Sequence, residues 1–445
     1  MKCPNLVFVF PDQFRKQAIG CYNEDCAFTP NLDNLSAESL NVTNAFSNNP
    51  ICSPYRAMLF TGKYQFSNGI SMNCNSHTAK LGNGLKPNQT LLTDILNQNG
   101  YSVGYIGKLH IDNPKESDYK YIAPKCGDGF YWDAYTEPKN RHGVDFWYSY
   151  GCYDNHFKPH YWHDKIENRI DVKEWSVAHE TKIAVDYILN TSGKRTEEKP
   201  FALFVAFNPP HMPFEQVPKK YKKLYTQKQI KLRPNVKRRF LLKKNMRNYF
   251  AAVSGVDENT GKILKAIEEK GIKNNTIFVF TSDHGEMLGS HGYIKRKDFW
   301  YNESIRVPFI IRYPEKIDSG NTNTYISAPD VFPTLLGLMG LADKIPDEVE
   351  GKDLSKDLIN KTISTNSVFY FHDNYRGIIN DNFTYAVDLK AKKEYLFDNI
   401  HDKYQLKNIA DFSKNDLIRL RNKLIEEMKN YGDDKQEEVL KYFRT

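Results

Sequence analysis

Four short, continuously apolar runs punctuate the chain, and each leads directly into polar, reactive side chains. Leu6–Phe10 runs into Pro11-Asp12-Gln13. Tyr101–Ile106 runs into Gly107-Lys108-Leu109-His110. Phe201–Phe207 runs into Asn208-Pro209-Pro210-His211, and Thr276–Thr281 runs into Ser282-Asp283-His284-Gly285. Apolar runs of this length with no polar alternation predict strands covered on both faces. Stretches between them carry apolar residues at helical spacing. These are Thr90–Asn99 (stopped by Gly100), Arg247–Glu269, Ala328–Leu341 and Leu417–Tyr431. Strands alternating with helices predict an α/β fold, an α/β/α sandwich around a large mixed, mostly parallel sheet. Ligands of such sheets bind beyond the carboxyl ends of the strands, so all four polar groups are expected on one edge.

Two regions break the pattern. An aromatic-rich stretch of about 113–175 predicts an insertion or a long loop system. Lys219–Lys244 is basic and is expected to be a solvated surface loop. After about Ser364 short strands and a final helix predict a smaller C-terminal α+β subdomain. The expected division is 1–363 for the catalytic domain and 364–445 for the subdomain, with a short antiparallel sheet and terminal helix.

Composition narrows the function. The 445 residues are 40% hydrophobic and 13% aromatic, with 62 basic against 54 acidic residues. This mild basic excess suits an anionic small molecule or glycan and, being dispersed, argues against nucleic acid. The seven cysteines, Cys3, Cys21, Cys26, Cys52, Cys74, Cys126 and Cys152, all lie in the first half of the chain and match no zinc spacing, which points to a reducing compartment. Leu6–Phe10 is too short for a leader core or a membrane span. The expectation is a cytoplasmic protein with no membrane partner, or a secreted or periplasmic one if a leader was trimmed.

The sharpest motif is Cys52-Ser53-Pro54-Tyr55-Arg56, followed by Ala57-Met58-Leu59-Phe60-Thr61-Gly62. Pro54 suits a first helical turn, so Cys52 is expected at a helix N-terminus, where dipole and free N–H groups favour an anion. Arg56, one turn on, is expected as an oxyanion clamp. A lone cysteine would ordinarily be structural packing; the Cys-x-Pro-x-Arg spacing sets this one apart. This segment resembles the signature of the type I, formylglycine-dependent sulfatases of the alkaline-phosphatase superfamily. Gly100–His110, Gly289-Ser290-His291-Gly292 through Tyr301–Pro308, and Tyr395–Asp398 with Asp402–Ala410 are similar to further motifs of that family, in the same order.

The resemblance implies that Cys52 is oxidised by a formylglycine-generating maturase. It places a metal on Asp12, Gln13, Asp283, His284 and residue 52. Ca²⁺ suits the oxygen-rich set, with Mg²⁺ or Mn²⁺ as alternatives. Many sulfatases carry Asp-Asp and Asp-Asn where this chain has Asp-Gln and Asp-His, a departure shared with the phosphonate monoester hydrolase branch. In the implied mechanism one hydroxyl of hydrated formylglycine attacks sulfur. Arg56, Lys108 and Lys297 neutralise charge, and His211 protonates the leaving oxygen. With His110 as base, the second hydroxyl then expels sulfate. Lys297 keeps the family's distance to Tyr301, and Lys295 is the fallback.

Within the aromatic stretch, Asp145-Phe146-Trp147-Tyr148 and Cys152–His156 are expected to line a pocket above the site. Asp154, Asn155 and His156 are the substrate-binding candidates. Aromatic faces beside such polar groups suit a sugar ring, and similar stretches occur in bacterial glycan sulfatases. The expected activity is hydrolysis of a carbohydrate sulfate. The alternatives are an aryl or alkyl sulfatase, a phosphonate or phosphate ester hydrolase on the same scaffold, and an inactive binder of sulfated glycans.

Overall fold

A computed structural model describes residues 3–236 and 240–444. The strands that build the main sheet are Asn5–Val9 (β1), Leu40–Phe46 (β2), Ser102–Lys108 (β3), Phe146–Tyr150 (β4), Phe201–Ala206 (β5), Thr276–Phe280 (β6), Ile310–Arg312 (β7) and Gly320–Ser327 (β8). They form an eight-stranded sheet in the order β8-β2-β7-β6-β1-β5-β3-β4. Only β7 runs antiparallel to its neighbours. β1 lies centrally, paired in parallel with β5 and β6.

Alternation along β1 explains the layers. Leu6, Phe8 and Phe10 enter one core with residues of Cys52–Thr61 (α1), Leu92–Gln98 (α2) and Ala328–Leu338. Val7 and Val9 enter the other, with residues of Pro30–Ala37, Ser176–Leu189 and Phe240–Glu269. Both faces of the sheet are thus covered, as the unbroken apolar runs require. A large apolar side chain buried here contributes ~1.5–3 kcal/mol, so the central strand is anchored from both sides.

The aromatic stretch is more ordered than expected. Phe146–Tyr150, directly after Asp145, forms the edge strand β4, which pairs in parallel with β3. Trp147 stacks on Tyr105 and Phe146 packs on Tyr187, so this segment is sheet and core and does not line a pocket above the site. The strand period hid under continuous aromatics, because an edge strand covered by neighbouring rings needs no polar face. The basic stretch also departs from expectation: it holds the helix Lys219–Lys222 and buries Tyr221, Tyr225, Ile230 and Leu242. Arg233 is buried and ion-paired to Glu24 and Glu303. The part of that stretch at 237–239 lies outside the described residues.

Toward the C-terminus, Ser367–His372 (β9), Tyr375–Asn380 (β10), Phe383–Asp388 (β11) and Lys393–Asp398 (β12) form an antiparallel sheet. Helix Lys414–Asn430 packs on it, and Phe371, Ile378, Leu396 and Leu424 join the same core as α1. Its first strand also holds the approach to α1. The Asn48 amide donates to Phe369 O at 2.9 Å, and the Phe371 N–H donates to Asn48 O at 2.9 Å. No helix among the described residues is long and apolar enough to cross a membrane.

Candidate active site

The chain delivers its reactive groups from the carboxyl ends of the parallel strands. Asp12 and Gln13 follow β1, Lys108 ends β3 and His110 lies just beyond it. His211 follows β5, and Asp283 with His284 follows β6. Two glycines permit this crowding. A Cβ at Gly107 would lie 2.3 Å from Ala206 O, and one at Gly285 would lie 2.0 Å from Glu303 O. Gly107 also has φ +98°, so only glycine fits beside Lys108.

Helix α1 opens at Cys52 and closes at Gly62 with φ +65°. Its first residue sits at the centre of the site. Lys297 Nζ lies 3.0 Å from Cys52 Sγ, His284 Nε2 3.3 Å, Asp12 Oδ1 3.6 Å and Lys108 Nζ 3.9 Å. Burial alone would raise the thiol's pKa, but the ammonium groups of Lys108 and Lys297 outweigh it and hold Cys52 well below the usual thiol range. The choice between the two lysines resolves here: the ammonium of Lys297 reaches residue 52, whereas Lys295 is exposed.

Asp12, Cys52, Asp283 and His284 each offer a ligand atom within 4.8 Å of the others, and all are buried. The donor chemistry fits a cation. His284 Nδ1 faces Gly285 O at 2.9 Å, an acceptor, so Nδ1 carries the proton and Nε2 presents its lone pair toward Cys52. Gln13 adopts φ 63°, its N–H donates to Asp283 Oδ1 at 3.0 Å, and its Nε2 donates to Glu286. That leaves the buried Gln13 Oε1 without a hydrogen-bond partner, a free carbonyl oxygen suited to a metal. Burial and the nearby Asp12 charge push Asp283 up, the response of two carboxylates sharing one site, which a divalent cation would relieve. Asp12 itself stays low against burial because Lys108 Nζ lies 2.7 Å from its Oδ2.

Arg56 is placed differently from its expected role. Its Nε donates to Asp283 Oδ2 at 3.1 Å, one terminal nitrogen to Lys108 O at 2.6 Å and the other to Asp12 Oδ2 at 3.3 Å. The guanidinium is fully buried and already occupied on three sides. It aligns the two carboxylates and is not free to clamp an oxyanion, because its fork is consumed by acidic partners.

The two histidines flanking the centre carry opposite protons. His110 has φ 56° and its Nε2 faces Cys74 O at 3.2 Å, so Nε2 bears the hydrogen. Its Nδ1 is buried without a hydrogen-bond partner, and burial pulls the ring's pKa down, which leaves a neutral imidazole with an open basic nitrogen. His211 Nδ1 faces Met212 O at 2.8 Å and Asp154 Oδ1 at 3.4 Å. Burial opposes its charge, but Asp154 prevails and raises it to about 9. One ring is therefore a base and the other an acid at neutral pH.

The substrate-binding candidates divide. His156 is 2% exposed, and its Nε2 donates to His211 O at 3.0 Å, so it braces the His211 loop. Asn155 accepts from the Lys158 N–H at 3.1 Å and donates to the Tyr153 hydroxyl at 3.3 Å, a turn-forming role. Asp154 holds His211 while its side chain remains 38% exposed. Neither His156 nor Asn155 is placed to meet a substrate; the polar run that suggested a sugar pocket is spent on local structure. Sequence reasoning passed over Asn208, whose Oδ1 lies 3.4 Å from Lys108 Nζ and whose amide donates to Asp154 Oδ1 at 3.0 Å. It also passed over Glu286, the partner of Gln13. Asn208 immediately follows the apolar run of β5, the signal that singled out Asp12 and Asp283.

Comparison with known proteins places this geometry. The Sulfatase family matches residues 4–341, and the N-sulphoglucosamine sulphohydrolase C-terminal family matches 289–442. The chain is 37% identical to the endo-4-O-sulfatase of Bacteroides thetaiotaomicron, over 91% of this chain and 88% of that protein. It is 33% identical to the ulvan-active sulfatase of Formosa agariphila, over 95% and 79%. A Bacteroides thetaiotaomicron structure described for the metabolism of multiple glycosaminoglycans superposes with a TM-score of 0.93 at 34% identity, covering 99% of each chain. The phosphonate monoester hydrolase of Agrobacterium radiobacter, at 20% identity and a TM-score of 0.69 over 99% of this chain and 96% of that one, shares the fold alone. With its family match spanning most of its length and its reactive groups gathered around Cys52, the chain belongs to the sulfatase family and is a sulfuric ester hydrolase.

Proposed function

We propose that this sulfatase removes sulfate from a carbohydrate, using residue 52 as formylglycine and Ca²⁺ held by Asp12, Gln13, Asp283, His284 and residue 52. The observation that carries the reading is the setting of Cys52: two ammonium groups, an imidazole lone pair and a carboxylate converge on one buried sulfur. Lys297 and Lys108 offer positive charge where a sulfuryl group bound at residue 52 would lie. The similarity to proteins named for endo-4-O-sulfate and ulvan supports a glycan as the substrate.

Oxidation of Cys52 by a maturase supplies a hydrated aldehyde with two hydroxyls, and the cation lowers the proton affinity of the oxygen it binds. The remaining work falls to this chain's own side chains. Arg56 holds Asp12 and Asp283 in place. Lys108 and Lys297 neutralise charge on the transferring group. His211, protonated through Asp154, donates from Nε2 to the leaving sugar oxygen. His110 accepts a proton at Nδ1 when the second hydroxyl releases sulfate. Burial of Asp12, Arg56, Lys108, His110 and Asp283 excludes bulk water around them and strengthens their interactions.

The test is sulfate release from a panel of sulfated mono- and disaccharides by protein co-expressed with a maturase, with peptide mass spectrometry at residue 52. Turnover by protein carrying only the unmodified thiol refutes the formylglycine reading. Preference for an aryl phosphonate over every sulfate refutes the substrate reading.

A further inference from the structure

We propose that Trp132 is the platform on which the sugar ring of the substrate stacks, a reading that rests on the carbohydrate assignment above. The indole is the aromatic ring beside the base: its centroid lies 6.1 Å from that of His110. His110 is buried, whereas Trp132 keeps part of its surface exposed. The ring is also fixed in advance. Its Nε1 donates to Asp128 Oδ2 at 2.8 Å, and the Asp128 Oδ1 accepts the Phe130 N–H at 3.0 Å.

The backbone on either side of Trp132 is pinned independently. The Tyr131 N–H donates to Ser76 Oγ at 3.1 Å, and the Ser76 N–H donates to Tyr131 O at 2.9 Å. Tyr131 stacks on Tyr119 at 3.8 Å. Asp133 accepts the Gly151 N–H at 3.1 Å and the Ala123 N–H at 3.0 Å. The Cys126 N–H donates to Phe130 O at 2.9 Å, which closes the turn that carries Asp128 beside the indole. None of these bonds uses the indole face. A rigid aromatic face with its one polar atom already satisfied suits the apolar C–H face of a pyranose, and its fixed rotamer leaves little entropy to lose on binding.

The experiment uses matured, metal-loaded enzyme and a sulfated disaccharide that the wild type hydrolyses. Trp132→Ala is expected to raise KM about tenfold, one aromatic stacking contact, and Trp132→Phe to recover most of the loss. Inhibition by inorganic sulfate, which has no sugar, is expected to keep its Ki within about twofold. An unchanged KM in Trp132→Ala overturns the proposal, as does a sulfate Ki that rises in parallel with KM. If Trp132→Ala does not accumulate as folded protein, Asp128→Ala, which frees the indole but retains it, is expected to raise KM severalfold, and an unchanged KM overturns the proposal. Wild-type enzyme that releases sulfate from no saccharide defeats the carbohydrate assignment itself, whereas turnover indifferent to Trp132 defeats only the platform.

Discussion

Replacing Asp154 by Asn tests the acid assignment directly, because it removes a charge while keeping the shape beside His211. The Asp154 Oδ1 lies 3.4 Å from His211 Nδ1. Unit charges at that separation attract by about 5 kcal/mol at an effective dielectric of ~20. Solvent reaches Asp154, whose side chain is 38% exposed, and screens part of this. Even ~2 kcal/mol corresponds to more than a tenfold change in proton affinity. With the carboxylate present, His211 stands at about 9 and is almost wholly protonated at neutral pH. Without it, burial and the ammonium groups of Lys297 and Lys108 pull the pKa down, with Asp12 still raising it. The sign follows: a proton donor works below its pKa, so Asp154→Asn moves the alkaline limb of the rate profile down from near 9. Above the shifted limb kcat on a saccharide sulfate falls by about tenfold or more, and it recovers as the pH is lowered. An aryl sulfate, whose leaving oxygen needs less protonation, loses less. The assay is sulfate release across pH with both substrates. A limb that stays near 9, or a loss of equal size at every pH, refutes the role of His211 as acid and of Asp154 as its support.

Further outcomes follow from the same geometry. Arg56→Lys keeps the charge but loses the planar fork, and is expected to weaken cation affinity about 10–100-fold in a metal titration; an unchanged metal requirement with a raised substrate KM would return Arg56 to the clamp role. Tyr249→Phe removes the hydroxyl that donates to Gln13 O at 2.7 Å and accepts the Arg15 N–H at 2.9 Å. Leaving both buried groups unpaired is expected to cost about 1–3 kcal/mol in denaturant unfolding and to loosen metal binding, and unchanged unfolding contradicts it. Chelation is expected to abolish turnover and lower Tm, with Ca²⁺ restoring both. Saturation at a hundredfold excess over Kd stabilises by about 2.7 kcal/mol, and recovery with Mg²⁺ or Mn²⁺ but not Ca²⁺ changes the ion assignment.

Much of this was legible in the chain by itself. Four apolar runs ending in Asp12-Gln13, Lys108, His211 and Asp283-His284 predicted parallel strands and a shared edge, because a strand covered on both faces must be apolar at every position. Cys52 at the start of a helix followed from Pro54. What stayed hidden were relations across the chain. Phe146–Tyr150 has no polar alternation to mark it as an edge strand, so only its pairing with β3 identifies it. Arg56 looks like an oxyanion clamp until its nitrogens are seen spent on Asp12, Asp283 and Lys108. Asn155 and His156 look like sugar contacts until their partners are counted. The opposite protonation of His110 and His211 depends on which carbonyl faces which ring nitrogen. By itself, the sequence determined the residue types and the strand ends around the site, which rest on local pattern, and the reaction class through its resemblance to a family's motifs. Only the tertiary structure decided which groups are consumed by one another and which remain free to act, because a hydrogen-bonding group has few valences and distant segments compete for them.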